Sequence, residues 1–426
     1  MIQKQRALLV GVNIDSRSRS TDLLEELKRL TTACELEVAG VAEQNLKAVN
    51  TSFYIGPGKV EEVRLTADES KADVIIFNTE LSPIQLRNLE EELNREILDR
   101  TMLILEIFAK RAKTREAKLQ VEVARLKYML PRLVGSNENL SRQGGGAGLN
   151  NKGSGESKLE LDRRKIEVKI SELSKELATL VEERNIQRSR RSKAGLPTVS
   201  LVGYTNAGKS TLMNAMVESY KKDPSKKVFE EDMLFATLET SVRNITLPNK
   251  KAFLLADTVG FISNLPHGLI KAFRSTLEEV RRADLLLHVV DCSDSDYLKH
   301  MEVTNNTLRE IGADKIPMLL VFNKADLAGR TVPYVEDEGI YISAKSNSGI
   351  EELIQLISKR IFPRYVECDM LIPYDKGRIV AYLNENASVR AIRYESEGTY
   401  LNVECRECDY KRYEEYVRAL PTPDPT

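Results

Sequence analysis

Hydrophobic positions in the first hundred residues alternate between short apolar runs and stretches with helical spacing. The apolar runs, whose length is typical of buried strands, lie at residues 7–14, 36–41 and 74–77. Between the first two, Leu23, Leu27 and Leu30 share one face of a predicted helix. Because strands that alternate with helices form parallel sheets, residues 1–102 are predicted to be an α/β domain with a parallel sheet.

The next segment has apolar residues at heptad-like spacing over two long stretches. We predict helices over residues 103–133 and 157–193, on either side of a glycine-rich stretch from Gly144 to Gly155. Two such helices joined by a polar loop favour an antiparallel coiled-coil helical hairpin, which we assign to residues 103–195.

Strand and helix signals return after a linker at residues 195–197 and continue to about residue 363. Pro197 ends the preceding helix, because its ring and its missing N–H disrupt a helix interior. We therefore predict a doubly wound α/β domain over residues 196–364. The last segment, 365–426, has short strands and helices in turn and is predicted to be a small α+β domain.

Composition narrows the class of protein without indicating a function. Of 426 residues, 42% are hydrophobic and 30% charged, and 63 Lys and Arg residues nearly cancel 64 Asp and Glu residues. Any basic surface for nucleic acid must therefore be local. No apolar run approaches the roughly 20 residues that span a bilayer, and the five cysteines are sparse, as in a reducing compartment. We expect a monomeric cytoplasmic protein without stable membrane insertion.

A glycine-rich motif provides the strongest chemical signal in the chain. Its residues are Gly203, Tyr204, Thr205, Asn206, Ala207, Gly208, Lys209 and Ser210, followed by Thr211. The motif matches G-x-x-x-x-G-K-[ST] and lies between an apolar strand and a helix, the context of a phosphate-binding P-loop. Backbone amides would surround the phosphates, Lys209 would reach the β- and γ-phosphates as a catalytic residue, and Ser210 would bind Mg²⁺.

A second motif, Asp257-Thr258-Val259-Gly260, follows another apolar strand. A carboxylate at this strand end is suited to hold Mg²⁺ through water, which is the role predicted for Asp257. Gly260 is predicted to donate its backbone amide to the γ-phosphate, a catalytic role. Thr258 and Val259 are predicted to lie beside the nucleotide.

Two further motifs decide between GTP and ATP. Asn323, Lys324 and Asp326 end one apolar strand, and Ser343, Ala344 and Lys345 end the next. A carboxylate such as Asp326 accepts hydrogen bonds from N1 and N2 of guanine, for which adenine has no matching donors. Because a polar site left unpaired rejects the wrong substrate by roughly 10⁴-fold, we predict that the chain binds GTP and GDP and hydrolyses GTP.

A threonine between the P-loop and Asp257 is expected to bind Mg²⁺ and the γ-phosphate when GTP is present. We choose Thr237 as this metal ligand and catalytic residue, with Phe235 and Ala236 also beside the nucleotide. Thr240 is the alternative.

Several strings outside the shared GTPase motifs resemble one family. They are YIGPGK at 54–59, LSPIQLRNLE at 81–90, DRT at 99–101, LELDRR at 159–164 and GYTN at 203–206. With the ordered GTPase motifs, they resemble the HflX family of ribosome-associated GTPases over nearly the whole chain. The resemblance implies the large ribosomal subunit as partner and a nucleotide-dependent cycle that dissociates or rescues stalled ribosomes.

The glycine-rich loop departs from the family pattern. The family reads close to G-G-x-G-x-R-G-P-G-E-T-Q-L-E, whereas residues 145–160 read GGAGLNNKGSGESKLE. This difference suggests an alternative function, a nucleotide-gated ribosome-protection factor that relieves antibiotic-bound ribosomes and uses hydrolysis only for reset.

Basic residues near this loop and at the end of the second hairpin helix are candidates for RNA contacts. They are Arg142, Lys152, Arg188, Arg190 and Arg191. Contacts from Arg and Lys to phosphate supply much of the affinity for RNA. The alternative is a solvated helix end, where cations interact favourably with the helix dipole. The resemblance favours RNA contact.

Two residues of the predicted nucleotide site leave alternatives open. Phe261 stands where many GTPases have a glutamine that orients water, so we expect slow hydrolysis until a ribosome completes the site. Packing of the loop is the plainer interpretation of Phe261. Asn206 either helps to hold a K⁺ ion, as in some GTPases that it resembles, or only shapes the loop. ATP binding by the N-terminal domain is disfavoured, because GPGK at 56–59 is too short for a P-loop.

Overall fold

The computed structural model describes residues 4–13, 20–134, 152–192, 196–220, 240–263, 274–336, 339–362 and 365–418. These form two compact units. Unit 1 comprises residues 1–193, 229–240 and 258–278, and unit 2 comprises 194–228, 241–257 and 279–426. Among the helices in the described ranges, none combines the length and the apolar character needed to cross a membrane.

Unit 1 contains the predicted parallel sheet, with strand order β2-β1-β3-β4. The strands are β1 (Arg6–Asn13), β2 (Glu37–Asn45), β3 (Val74–Phe77) and β4 (Glu96–Leu98), and all neighbours are parallel. The helices between them are α1 (Ser20–Ala33), α2 (Pro57–Ser70) and α3 (Pro83–Leu93). Each face of the central strands β1 and β3 is covered by buried apolar residues, which explains why the sequences of these strands are continuous apolar runs.

The single helix predicted over residues 103–133 is wrong, because the structure has two helices there. They are α4 (Arg100–Arg111) and α5 (Arg115–Val134). The Asp99 side chain accepts from the Met102 amide at 2.8 Å and starts α4, and Thr114 Oγ1 accepts from the Ala117 amide at 3.2 Å and starts α5. Since Leu103 through Leu105 and Phe108 are buried, α4 belongs to the core of unit 1 and does not extend the hairpin.

The hairpin is formed by α5 and the long helix α6 (Lys152–Ser192). Arg115 pairs with Glu176 at 2.8 Å, and Glu122 pairs with Lys169 at 2.9 Å. The partner number falls as the α5 number rises, so the two helices are antiparallel. The coiled-coil geometry of the pair and the predicted domain boundaries stay predictions.

Unit 2 contains a seven-stranded sheet with order β10-β11-β9-β8-β5-β7-β6. The strands are β5 (Thr198–Val202), β6 (Ser241–Thr246), β7 (Ala252–Asp257), β8 (Leu285–Asp291), β9 (Met318–Asn323), β10 (Tyr334–Glu336) and β11 (Gly339–Tyr341). The helices are α7 (Lys209–Tyr220), α8 (Arg274–Arg281), whose residues through Glu278 belong to unit 1, α9 (Tyr297–Ile311) and α10 (Ile350–Ile361). Only the edge strands β6 and β10 are antiparallel to their neighbours, so the carboxyl ends of the central strands meet at one edge.

A small C-terminal domain completes unit 2. Its elements are β12 (Tyr365–Ile372), α11 (Gly377–Asn386), β13 (Ser388–Glu395), β14 (Gly398–Arg406), α12 (Glu407–Arg412) and β15 (Val417–Arg418). The four strands form an antiparallel sheet in the order β13-β14-β12-β15. One sheet face buries Met370, Leu401 and Val403 against Leu383 of α11.

Candidate nucleotide-binding site

The P-loop connects β5 to α7 at the carboxyl edge of the sheet in unit 2. Gly203 has φ +145°, and a Cβ there would lie 2.2 Å from the carbonyl oxygen of Val289. Gly208 has φ +89°, and a Cβ there would lie 2.2 Å from Nδ2 of Asn323. Any side chain at these two positions would clash, so glycine is required at both ends of the loop. Asn206, between them, is left-handed with φ +63°.

Lys209 is buried at the start of α7 and folds back over the loop. Its Nζ donates to the carbonyl oxygens of Gly203 at 3.0 Å and Tyr204 at 2.7 Å. Burial lowers the pKa of Lys209 to about 8, and the nearby charge of Asp257 opposes that shift. The ammonium group is therefore held inside the phosphate-binding loop, where phosphate oxygens can replace the carbonyls as acceptors.

Ser210 and Asp257 bring two oxygen ligands together across the strands. Ser210 Oγ donates to Asp257 Oδ2 at 2.7 Å, and Asp257 is fully buried at the end of β7. Hydroxyl and carboxylate oxygens are the donors that Mg²⁺ prefers, so this pair fits the ion that P-loop GTPases generally use with the nucleotide. Thr211, the next residue of α7, is half-buried.

Asn323 joins three of the predicted motifs through its side-chain amide. Its Nδ2 donates to the carbonyl of Ala207 in the P-loop at 2.9 Å, and its Oδ1 accepts from the amide of Ala344 at 3.0 Å. Asn323 is 2% exposed. The sequence predicted that Asn323 would support the base and its loop, and these two hydrogen bonds show that its side chain connects the P-loop to the loop of Ala344.

The other residues that the sequence predicts to recognise the base lie around this link. Lys324, with φ +60°, places its Nζ 2.7 Å from Asp291 Oδ2, which holds the lysine stem along the end of β8. Ser343 is buried and exchanges two backbone hydrogen bonds of 3.0 Å with Ser348. Asp326 and Lys345 are exposed, so the Asp326 carboxylate is accessible to a base.

Beyond Asp257, the chain enters unit 1. Val259 and Ile262 are buried in the core that α1 and α4 also form. Ser263 accepts a hydrogen bond from Arg100 Nη2 at 2.8 Å through its carbonyl oxygen. Thr258 and Phe261 are also buried, whereas Gly260 is half-buried. The sequence analysis treated these residues only as a nucleotide motif, although the apolar residues around Gly260 are a signal of a packed segment.

Two histidines near the P-loop were missed. His300 of α9 stacks on the ring of Tyr204, with centroids 3.9 Å apart and planes inclined by 14°. His288 lies in β8, is 1% exposed, and its Nδ1 has no hydrogen-bond partner in the described part of the chain. Burial, with a smaller contribution from the charge of Lys209, lowers the pKa of His288 to about 4. A histidine inside an apolar run was the only sequence signal for it.

Several predicted site residues lie outside the described residues. These are Phe235, Ala236, Thr237 and Arg142, together with the side chains of Lys152, Arg188, Arg190 and Arg191 on α6. Thr240 directly precedes β6, and the choice between Thr237 and Thr240 stays open. The described ranges contain no group of three or more His, Cys, Asp or Glu side chains arranged to hold a metal.

Sequence comparisons match three family profiles along the chain. Their descriptions are GTP-binding GTPase N-terminal over residues 21–109, GTP-binding GTPase Middle Region over 111–191, and 50S ribosome-binding GTPase over 198–324. A relative named GTPase HflX from Caldanaerobacter subterraneus subsp. tengcongensis is 44% identical over 408 residues, which cover 96% of this chain and 92% of the relative. GTPase HflX of Escherichia coli K12 is 38% identical over 415 residues, covering 96% and 95%.

Solved structures are also similar. The crystal structure of the SsGBP and GDP complex is 26% identical, covers 84% of this chain and 98% of its own, and has a TM-score of 0.45. The family assignment therefore rests on the sequence relatives and on the three profiles.

Proposed function

The chain belongs to the HflX family of GTPases and hydrolyses GTP, and from this we propose that its GTP cycle drives binding to the large ribosomal subunit and dissociation of stalled ribosomes. One observation carries the proposal: the profile described as a 50S ribosome-binding GTPase matches residues 198–324, which contain the P-loop, Asp257 and Asn323. The N-terminal and middle profiles, over residues 21–109 and 111–191, support the same function, because relatives of this family match 96% of the chain.

The nucleotide site supports this activity through residues already held in place. Lys209 would exchange its P-loop carbonyl acceptors for the β- and γ-phosphates, and the Gly260 amide would bind the γ-phosphate. Ser210 and Thr237 would ligate Mg²⁺ directly, with Asp257 acting through water. When bound, the ion would neutralise charge on the phosphate oxygens. Asp326 would accept from guanine N1 and N2 and so select GTP.

Hydrolysis is proposed to be slow until the ribosome completes the site. Phe261 has no group that can orient water, and its side chain is 3% exposed. A ribosomal group, or a rearrangement that the ribosome induces, would supply the missing orientation. The basic residues of the hairpin, Arg142, Lys152, Arg188, Arg190 and Arg191, are proposed to contact ribosomal RNA phosphates.

The test is GTP turnover by the purified chain, alone and with isolated large subunits. We expect strong stimulation by the subunits, and Lys209→Ala should lower the stimulated turnover by about 10²- to 10³-fold. A ribosome-splitting assay with the same proteins follows. GTP turnover that large subunits do not stimulate would contradict the proposed link to translation, although the GTPase assignment would stand.

The altered glycine-rich loop favours a second candidate, in which GTP binding alone protects antibiotic-bound ribosomes and hydrolysis resets the protein. A non-hydrolysable GTP analogue separates the two, because it should support protection but not repeated cycles. Growth of a deletion strain with peptidyl-transferase antibiotics is the second test. Unchanged drug sensitivity would exclude this candidate.

A potassium ion is a further proposed cofactor. The left-handed Asn206 is positioned within the P-loop and either ligates K⁺ or only shapes the loop. Subunit-stimulated turnover in K⁺ and in Na⁺ distinguishes these roles, since equal rates would leave Asn206 with the structural role. We also propose a monomer in the cytoplasm, which gel filtration and cell fractionation would test.

A further inference from the structure

The β6–β7 hairpin lies in the chain between the two segments that are predicted to sense the γ-phosphate. The segment with Thr237 leads directly into β6, and β7 ends at Asp257. The hairpin turn is closed by the Leu247 amide, which donates to the Lys251 carbonyl at 2.8 Å. Any displacement of this turn therefore acts on β7, the strand that carries the predicted Mg²⁺-binding carboxylate of Asp257.

Two lysines of this turn bind the C-terminal domain. Lys251 Nζ lies 2.6 Å from Glu404 Oε1 on β14, and Lys250 Nζ donates to the backbone carbonyl of Asn384 in α11. The side chains of Lys251 and Glu404 are only 9% and 19% exposed. A largely desolvated ion pair is sensitive to the loss of either partner, because the remaining charge stays buried and unpaired.

Aromatic rings complete the environment of Lys251. Its Nζ lies 4.5 Å from the ring centroid of Tyr365 and 5.7 Å from that of Phe362. The two rings form an edge-to-face pair with centroids 5.3 Å apart. Phe362 belongs to the core beneath the seven-stranded sheet, and Tyr365 begins β12. Lys251 therefore contacts both the core of the GTPase domain and the first strand of the C-terminal domain.

The strand between Lys251 and the nucleotide site is held on both sides. Leu254 through Asp257 pair with β5 in parallel, and the whole of β7 pairs with β6. Because β7 is hydrogen-bonded along its length, we expect a displacement of its turn to be transmitted to Asp257 at its far end.

We propose that Lys251 is a positioning residue for the nucleotide site, through which the C-terminal domain controls how tightly the nucleotide is held. With the Lys251–Glu404 pair intact, the hairpin keeps Asp257 beside Ser210. Without the pair, the hairpin turn is released and the nucleotide dissociates faster. A ligand that docks on the C-terminal domain and strains this pair would have the same effect. The inference rests on GTP binding alone and is independent of the ribosome proposal.

The test uses the full chain with Lys251→Met, which keeps the apolar stem and removes the charge. We expect the rate of GDP release and the KM for GTP to rise about 3- to 10-fold, with little change in kcat. Glu404→Gln, on the C-terminal side, should produce the same change, and the double variant should add little to either single one. Lys251→Arg should restore slow release, because it keeps the charge and the contact with the rings.

Arg418→Met is the matched control. Arg418 pairs with Glu395 at 2.9 Å in the same sheet, both side chains are partly exposed, and neither residue lies opposite Glu404 in the strand register. It should leave GDP release unchanged. Wild-type GDP release in Lys251→Met, with only a lower unfolding temperature, would overturn the proposal. Faster GDP release in Lys251→Met but not in Glu404→Gln would also overturn the proposal, because the C-terminal domain would then have no part in the control of GDP release. Should Lys251→Met fail to fold, the near-isosteric Glu404→Gln decides alone.

Discussion

The two ends of the nucleotide site are built differently. On the base side, Asn323 connects the P-loop to the loop of Ala344, and Lys324 is paired with Asp291, so these supports all come from unit 2. On the phosphate side, the chain beyond Asp257 packs its apolar residues into unit 1. The residues predicted to select guanine are thus held by contacts within unit 2, whereas the segment predicted to sense the γ-phosphate packs within unit 1.

This difference follows from what each end must do. Selecting guanine requires polar groups fixed before the base arrives, because an adaptable site would accept other bases. Sensing the γ-phosphate requires a segment with two arrangements of similar free energy. Because that segment packs within unit 1, its contacts there influence which of the two arrangements is populated. The comparison therefore predicts that base affinity and the anchoring of the phosphate-sensing segment can be changed separately.

The largest expected effect comes from removing the buried cation that anchors the phosphate side. Arg100 is 4% exposed, pairs with Glu26 at 3.1 Å and binds the Ser263 carbonyl. Arg100→Met leaves Glu26 charged and buried, and should lower the free energy of unfolding by about 3–5 kcal/mol. Urea unfolding followed by circular dichroism measures this. GDP affinity should stay near the wild-type value, because the base side is untouched.

An exposed ion pair on α1, the helix that carries Glu26, provides the control. Lys28 pairs with Glu25 at 2.7 Å on the surface of α1, and Lys28→Met should change stability by less than about 1 kcal/mol. Arg100→Met/Glu26→Leu should recover part of the loss, because the largely buried charge of Glu26 is then removed as well. If Arg100→Met costs no more than Lys28→Met, the anchor is unimportant. If GDP affinity falls with stability, the two ends of the site are not separable.

The next effect is a pH dependence from His288, which lies beneath the P-loop in β8. Burial and Lys209 lower its pKa from 6.5 to about 4, so the folded chain keeps it neutral while the unfolded chain takes up a proton. Stability is therefore lost as pH falls from 6.5 towards 4, by up to about 3 kcal/mol. His288→Leu should flatten the profile in this window. Parallel wild-type and variant profiles would show that His288 is not responsible.

The fold could be predicted to a large extent, because its signals are local. Continuous apolar runs identified the buried parallel strands β1 and β3. The ordered GTPase motifs located the nucleotide site, since each follows a strand whose carboxyl end lies at the same sheet edge.

Contacts between distant segments could not be predicted from these patterns. The break before α5 was missed, because an amphipathic pattern continues through residues 112–114 while the caps that divide it are single side chains. The burial of Val259 and Ile262 in unit 1 and the pairing of Lys251 with Glu404 depend on tertiary packing, for which the sequence has no periodic signal.

A smaller effect is expected from cutting one of the two hydrogen bonds of Asn323. Asn323→Asp can still accept from the Ala344 amide but cannot donate to the Ala207 carbonyl. The unsatisfied buried carbonyl and the added charge should weaken GDP binding by about 1–3 kcal/mol. Titration with a fluorescent GDP analogue measures this, with Asn306→Asp on the exposed surface of α9 as control. Unchanged affinity would mean that the base side is not assembled through Asn323.

The smallest effect concerns the outer support of the P-loop. His300 stacks on Tyr204, and an aromatic pair contributes about 0.5–1.5 kcal/mol beyond its buried area. His300→Ala should therefore weaken GDP binding by about 2- to 10-fold, if the stack holds the loop in its binding conformation. His300→Phe, which keeps a ring in place, should bind as the wild type does.

His300→Ala and His300→Phe also test whether the P-loop behaves like the base side or like the phosphate side of the nucleotide site. Tyr204 and His300 both lie in unit 2, as do the supports of the base. If the P-loop shares the preassembled character of the base side, His300→Ala should weaken GDP and GTP equally, because the stack does not touch the segment that senses the γ-phosphate. A weaker affinity for GTP alone would instead show that the P-loop behaves like the phosphate side. The boundary between the two ends would then lie at Gly203 and not at Asp257.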